Sequence, residues 1–400
     1  MAARGEAKRL VPEGIDMVLA LDNIEVLDLS RLLPGPYCSM ILADFGARVL
    51  KVEDTGRGDY FRTMSALAGG YQTVNRNKKS LALNLKDPRG REIFYRLAAR
   101  ADVVLEGFRP GVTARLGVDY STLQKLNPRL VYCSLTGYGQ EGPRSQSPGH
   151  DLNYIGLAGI LGLTGAAGGP PVIPSVQLAD LGGGALWAAI AILVALLARE
   201  RTGQGQYLDV AMLDGTLAFL PLMAEGILAG GTPPVRGSLP LSGALACYRV
   251  YATSDRKYVT LGALEEKFWT EFCLALNRPG WVDRQFGPEQ EQLAGEVAEI
   301  LSSRTRDQWL EFFAGRDVCL EPVYDPGEIA ADEHIKARGM LGPGPYLGIP
   351  VKLSTTPGGV REPAPGWGEH SREVLAELGY TGQEIDGFLA GEVIKESGQS

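Results

Sequence analysis

Three histidines in a chain of 400 residues leave few candidates for imidazole chemistry, the side-chain chemistry whose ordinary pKa lies closest to neutrality. His150 follows Pro148-Gly149 and precedes Asp151, where a flexible loop meets an apolar, helix-like stretch, Leu152–Leu163. At such a helix start an imidazole can face a cleft with its tautomer set by a carboxylate; the plainer alternative is a helix-capping or hydrogen-bonded surface histidine. Asp180 opens the run Gly182-Gly183-Gly184 and a following apolar helix, which puts a carboxylate at a helix N-terminus where backbone can approach closely. An ordinary N-cap is the alternative there. Glu265 and Glu266 end a strand after Gly262-Ala263-Leu264, and one of them could orient a histidine. His334 and His370 are read as structural.

Two segments have the makings of an anion site. Pro34-Gly35-Pro36 closes a strand and opens a helix, where free backbone N–H groups can meet a ligand oxygen; it is neither GxGxxG nor a phosphate-binding P-loop, and a plain tight turn is the alternative. Asn75-Arg76-Asn77-Lys78-Lys79 places three cations just before a strand, suited to the phosphates of a nucleotide-like ligand or, more blandly, to a solvated loop. Such local groups would have to suffice, because the net charge is −8 and supplies no global basic field for nucleic acid or an anionic membrane. The five cysteines are odd in number and scattered, with no metal-ligand spacing. They read as reduced thiols and imply a cytoplasmic location.

The elements that must position these residues follow an α/β rhythm. Strands are expected at Ile24–Leu29, Arg48–Val52, Ser80–Leu85, Asp102–Glu106, Leu130–Leu135 and Gln206–Val210, with helices at Tyr37–Phe45 and Pro88–Arg100. The class is a doubly wound, Rossmann-like sheet with a second, smaller α+β domain. Residues 1–16 read as a flexible tail and 17–228 as the large domain. A Gly/Pro/Ser-rich linker, 229–243, leads to a small domain, 244–340, and 341–400 returns to the large one. The small domain is expected to hold a strand at Lys257–Leu261 and helices from Lys267 and from Arg306, and the return segment a helix at Ser371–Leu378. The longest apolar run, Ala185–Ala198, has 14 residues, short of the ~20 needed to cross a bilayer, and is read as a buried helix.

Several segments carry a resemblance. VLDLSRLLPGP (26–36), DFGARVLKVE (44–53), NRNKKS (75–80), EGFRPGV (106–112) and GEH (368–370) resemble the family III CoA-transferases, also called CaiB/BaiF, in the same order and over nearly the whole chain from Met17. That family holds two chemistries, CoA transfer through an aspartyl-CoA anhydride and 1,1-proton transfer by α-methylacyl-CoA racemases. Asp180, in Ala179-Asp180-Leu181-Gly182, matches both the transferase nucleophile and a racemase acid/base. Gly149-His150-Asp151-Leu152-Asn153-Tyr154 resembles the racemases, as does Glu265 in Gly262-Ala263-Leu264-Glu265. Leu33 stands where formyl-CoA transferases carry a glutamine, and their loop of four glycines has no match in 229–260.

The resemblance implies a racemase or epimerase of a 2-methylacyl-CoA-like thioester, with His150, oriented by Glu265, on one face of the α-carbon and Asp180 on the other. Backbone N–H groups at the helix start near Asp180 would be the donors to the enolate oxygen. CoA is expected to contact Leu33, Pro34, Gly35, Pro36, Lys78, Lys79, Phe108, Arg109 and Arg115, with no metal and no cofactor beyond that CoA moiety. An interlocked homodimer, and neither nucleic acid nor membrane, completes the expectation. Val176 and Asp54 depart from the pattern, replacing an asparagine of one bacterial racemase type and a CoA-contacting arginine of the formyl-CoA transferases; Arg57 or Arg62 could substitute for the latter. No methionine-rich acyl surface is evident around Ala185-Leu186-Trp187. The alternatives are a CoA transferase with Asp180 as nucleophile, and a CoA-binding protein without catalysis.

Overall fold

The computed structural model describes residues 18–64, 69–342 and 344–397; the tail read over 1–16 lies outside them. The chain divides into two units. One comprises the residues through Ala158, Ser175–Phe219 and those from Ala337 on; the other comprises Gly159–Pro174 and Leu220–Lys336, and contains the Gly/Pro/Ser-rich segment 229–243.

The strands are β1 (Glu25–Asp28), β2 (Arg48–Glu53), β3 (Lys78–Leu83), β4 (Val103–Glu106), β5 (Val131–Thr136), β6 (Tyr207–Ala211), β7 (Tyr248–Ala252), β8 (Tyr258–Gly262), β9 (Leu320–Val323) and β10 (Ile394–Lys395). In the first unit they form a seven-stranded sheet of order β10-β3-β2-β1-β4-β5-β6. All neighbours are parallel except β10, which runs antiparallel to β3. Every residue of β4 and β5 is buried, as in a parallel sheet covered on both faces. The helix Pro88–Ala98 starts on Asp87, whose carboxylate accepts from the Arg89 N–H, with Pro88 in the first turn. It packs Ile93, Phe94 and Leu97 against Leu27, Leu81 and Val104 of the sheet. Strand order reverses between β1 and β4, which makes the carboxyl ends of these two strands the switch point of a doubly wound sheet.

The second unit has a three-stranded antiparallel sheet, β7-β8-β9, with the helices Glu266–Ala275, Gln290–Leu301 and Arg306–Phe313. Its core is an aromatic stack in which Phe272 lies between Trp269 and Phe313, with ring centroids 5.5 Å apart on each side. The buried indole N–H groups of Trp269 and Trp309 donate to the carbonyls of Trp281 and Leu301, at 3.0 and 2.7 Å, so neither buried ring leaves an unpaired polar group.

The apolar run of Ala185–Ala198 is helical, but the expectation of a buried helix is corrected. Ala188, Ala189, Ile192, Ala195 and Leu196 are buried in the first unit, while Ile190, Val194 and Leu197 are 49–60% exposed. One face of a helix meets a sheet, so a run that is apolar all round leaves its other face uncovered. The continuous helical stretch Leu178–Thr202 is by length and composition apolar enough to cross a membrane. Its far end is fixed to the sheet by Arg199, whose buried guanidinium pairs with Asp102 at 2.9 Å.

Beneath the switch point lie charges without access to solvent. Asp28, at the end of β1, faces Lys78 at 3.3 Å, and Lys51 faces Asp59 at 2.8 Å, all four side chains fully buried. Burial opposes ionisation of Asp28, but Lys78, Lys51 and the hydroxyls of Ser30 and Ser39 prevail and hold its pKa down to about 2. Burial lowers Lys78 to about 8 against the pull of Asp28, so both partners remain charged at neutral pH. Removing one partner strands the other in a low-dielectric interior. Lys78→Met is therefore expected to destabilise the first unit by about 3–5 kcal/mol, read as a lower urea midpoint. Adding Asp28→Asn to it should recover a substantial part of that loss, and a double variant no more stable than Lys78→Met would contradict this account.

Candidate active site

The turn after β1 is held from below. Asp28 Oδ1 accepts from the Ser30 N–H at 2.9 Å, Lys51 Nζ donates to the Ser30 carbonyl at 2.9 Å, and Asp59 Oδ1 accepts from the Leu32 N–H at 3.0 Å. Leu32 is held at φ 64°, a conformation unusual for a branched residue. Gly35 lies so close to Ser30 that a Cβ would come within 2.1 Å of the serine Cβ. The expectation of an N–H anion grip at Pro34-Gly35-Pro36 is reduced accordingly, since both prolines lack an N–H. Gly35 and Pro36 are buried and the Pro36 carbonyl accepts from Lys78. The glycine serves close packing, and Leu33 and Pro34 are the half-buried residues of the turn.

A cleft of about 460 Å³ opens at the carboxyl ends of β1, β2 and β3, lined by Arg31, Asp54, Tyr60, Lys86 and Phe108 among others. The Arg31 guanidinium lies over the Tyr60 ring at 5.2 Å and the Phe108 ring at 5.3 Å, and pairs with Asp54 at 3.2 Å. Lys86 is exposed and takes part in no ion pair among the described residues. Sequence reasoning missed both cations; the signal available for Arg31 was its place just past the first strand of a switch point.

Other expected cations are used elsewhere. Lys78 is buried against Asp28, the Pro36 carbonyl and Asn75, so it is not available to a phosphate. Lys79 lies toward the amino-terminal edge of the sheet, paired with Glu373 and Glu377 in a different hollow of about 540 Å³. Arg76 is buried on Asp44. Arg62 is fixed by Glu53, Tyr71 and the Pro365 carbonyl and cannot stand in for an arginine at position 54. Arg109 and Arg115 are exposed on the segment following β4, beside the half-buried Phe108.

His150 is the exposed N-cap residue of the helix Asp151–Leu157, its own N–H donating to Asn153 Oδ1 at 3.0 Å. The expected helix Leu152–Leu163 is broken at Gly159, φ 84°. Tyr154, one turn on, donates to the Gly149 carbonyl at 2.7 Å and packs edge-on to Tyr138. A Cβ on Gly137 or Gly149 would lie 2.4 or 2.7 Å from Tyr154 atoms, so both positions need glycine.

Asp180 is the third residue of a π-helical stretch, Leu178–Leu186, whose N-cap is Gln177; the N-cap reading is corrected. Asp151 Oδ1 accepts from the N–H groups of both Ala179 and Asp180, at 2.6 and 3.0 Å. An enolate oxygen expected at these donors would therefore compete with the Asp151 carboxylate for them. The glycines 182–184 are spent on packing. A Cβ on Gly183 would meet Thr216 Oγ1 at 2.3 Å, and one on Gly182 the Phe219 ring at 2.8 Å. Burial, with the negative charge of Asp151, pushes the Asp180 carboxyl up from 3.8 to about 7. Burial raises the pKa of the Tyr154 hydroxyl, and the negative charge of Asp180 adds to the rise. Glu265 is the exposed N-cap of the helix Glu266–Ala275, in the second unit. Among the described residues no three or more His, Cys, Asp or Glu side chains are placed to hold a metal ion.

An open, mainly parallel sheet with a cation-lined cleft beside its switch point places the first unit among the doubly wound α/β proteins. Residues 21–371 match the family model CoA-transferase family III, and the chain belongs to that family. It is 35% identical to the alpha-methylacyl-CoA racemase of Homo sapiens over 395 residues, 95% of this chain and 98% of that one. It is also 33% identical to the succinyl-CoA:glutarate CoA-transferase of Mus musculus over 402 residues, 95% and 92% of the two chains. A CAIB/BAIF family protein from Brucella suis superimposes with a TM-score of 0.80 at 32% identity, over 90% of this chain and 99% of the other.

A raised carboxyl pKa in the native state means that folding binds a proton. The stability associated with Asp180 is then complete below its unfolded value near 3.8 and is lost as pH rises through about 7. Asp180→Asn should accordingly raise Tm relative to the parent by an increment that grows from pH 4 to pH 7 and then levels off. Melting curves across that range that stay parallel would contradict the shift.

Proposed function

We propose that the chain is an acyl-CoA racemase or epimerase, moving a proton at the α-carbon of a 2-methylacyl-CoA-like thioester. The observation that carries the reading is that His150, in the racemase-like segment, opens the helix whose first residue holds the backbone of Asp180. The Asp180 carboxyl, titrating near neutrality, can give and take a proton with comparable ease, as an acid/base catalyst at neutral pH must. The racemases of Homo sapiens and Mus musculus, 35% and 34% identical, support the same assignment.

In this mechanism one of His150 and Asp180 removes the α-proton and the C–H electron pair passes into the thioester carbonyl, forming an enolate. The other delivers a proton to the opposite face, and the electron pair returns to form the new C–H bond. The roles exchange with the configuration of the substrate. A glutamate partner for His150 comes from the resemblance, which assigns it to Glu265 and leaves open the subunit that supplies it. The nucleotide end of CoA would occupy the cleft, its adenine against the planar groups of Arg31, Tyr60 and Phe108. Its phosphates would lie near Lys86, Arg109 and Arg115. No metal or further cofactor is called for. The exposed stripe of Ile190, Val194 and Leu197 suits the homodimer that the resemblance implies.

CoA transfer, with Asp180 attacking the thioester carbonyl, is the second reading, favoured by the match to transferases. A nucleophilic carboxylate must be ionised, and burial beside the negative charge of Asp151 opposes the ionisation of Asp180. In deuterated water with 2-methylacyl-CoA and no acceptor acid, the protein should exchange the α-hydrogen with loss of configuration, followed by NMR. His150→Ala should slow exchange by about 10²–10⁴-fold. Absence of exchange, with CoA passing to an added carboxylic acid, would establish the transferase instead.

A further inference from the structure

Glu106, the last residue of β4, is only 2% exposed and takes no part in the proton transfer described above. Its carboxylate nevertheless has every partner it needs. Oε2 accepts from the Phe108 N–H at 2.7 Å, and Oε1 is hydrogen bonded to Ser134 Oγ on β5, its Cα partner in the ladder. Ser134 Oγ in turn accepts from the Tyr207 hydroxyl on β6 at 3.0 Å. The chain of donors thus runs from Tyr207 through Ser134 to Glu106, and the second carboxylate oxygen grips the backbone two residues ahead. That backbone carries Phe108, whose ring lies under Arg31, and Arg109 beside it. The carboxyl is also isolated from cations. Burial and the negative charge of Asp209 oppose its ionisation, while Ser134 and the Phe108 N–H support it, for a net value of about 7.

A buried acid without a cationic partner is expensive, and an apolar residue would cover the strand end as well. What the acid alone supplies is a fixed acceptor for the Phe108 N–H. We infer that Glu106 is a positioning residue for the CoA nucleotide, locking the Gly107-Phe108-Arg109 segment so that the Phe108 ring and the Arg31 guanidinium form one wall of the cleft. The inference rests on the CoA reading above and extends it to a residue that touches neither the thioester nor the reacting carbon.

The test separates the nucleotide from the acyl group. Glu106→Ala leaves the Phe108 N–H without its acceptor and should weaken CoA binding, by calorimetry, about tenfold or more. KM for the acyl-CoA should rise in step while kcat stays within about threefold of the parent. Glu106→Gln, whose amide oxygen can still accept from Phe108 and whose NH₂ can donate to Ser134, should restore binding. The acyl-N-acetylcysteamine thioester, which lacks the nucleotide, should be turned over equally by all three proteins. Should Glu106→Ala fail to fold, Ser134→Ala removes the Oε1 partner and should give a smaller rise in the same KM alone. Equal CoA affinity in the parent and these variants, or an equal loss with the truncated thioester, would overturn the positioning role. A parent protein that binds no CoA would instead overturn the proposed function.

Discussion

The buried pairing of Asp28 with Lys78 and of Lys51 with Asp59 is the constraint on which the site depends. Four charges sealed in the interior around β1, β2 and β3 are tolerated only if each is neutralised and hydrogen bonded. Satisfying them fixes the Ser30 carbonyl, the Ser30 and Leu32 N–H groups and the Pro36 carbonyl. The turn at the switch point is thereby set by groups that a ligand never meets. Leu32 is kept at a positive φ, and Gly35 is kept in a space that no side chain could share. Arg31 projects from that turn, so the placement of the cleft's first cation is inherited from a buried electrostatic network.

A comparable division of labour governs the acid/base region. Asp151 is both a cap for two backbone donors and a negative charge beside Asp180. Capping organises the π-helical stretch, and the charge adds to the burial that raises the pKa of the neighbouring carboxyl. A π-helical segment, uncommon in proteins and frequent at functional sites, is retained here because three consecutive glycines let it lie against the helix Met212–Leu217.

Much of the fold was legible in the sequence because a parallel sheet is written in short apolar runs. The seven expected strands begin and end within about two residues of strands in the structure, Lys78–Leu83 against Ser80–Leu85 being the largest displacement, whereas β7, β9 and β10 were not anticipated. What misled was charge. Lys78 and Lys79 look alike in sequence, yet successive residues of a strand point to opposite faces. One lysine is drawn inward by Asp28 and the other meets glutamates from the helix Ser371–Glu377. The glycines after Asp180 look like an opening for a ligand, but only the fold reveals Thr216 and Phe219 against them. Arg31 was hidden for the opposite reason, as a single arginine among apolar neighbours with no local pattern to mark it.

The last strand of the sheet, β10, is contributed by residues 394–395 and pairs antiparallel with β3. The first unit is thus assembled from three stretches of chain separated by the second. A nascent chain emerging from the ribosome therefore exposes the edge of β3 throughout the synthesis of some three hundred further residues, an open template for mispairing. The second unit ends at Lys336 and can close its aromatic core before that edge is covered. The order of synthesis is consequently not the order of completion: the unit begun first is finished last.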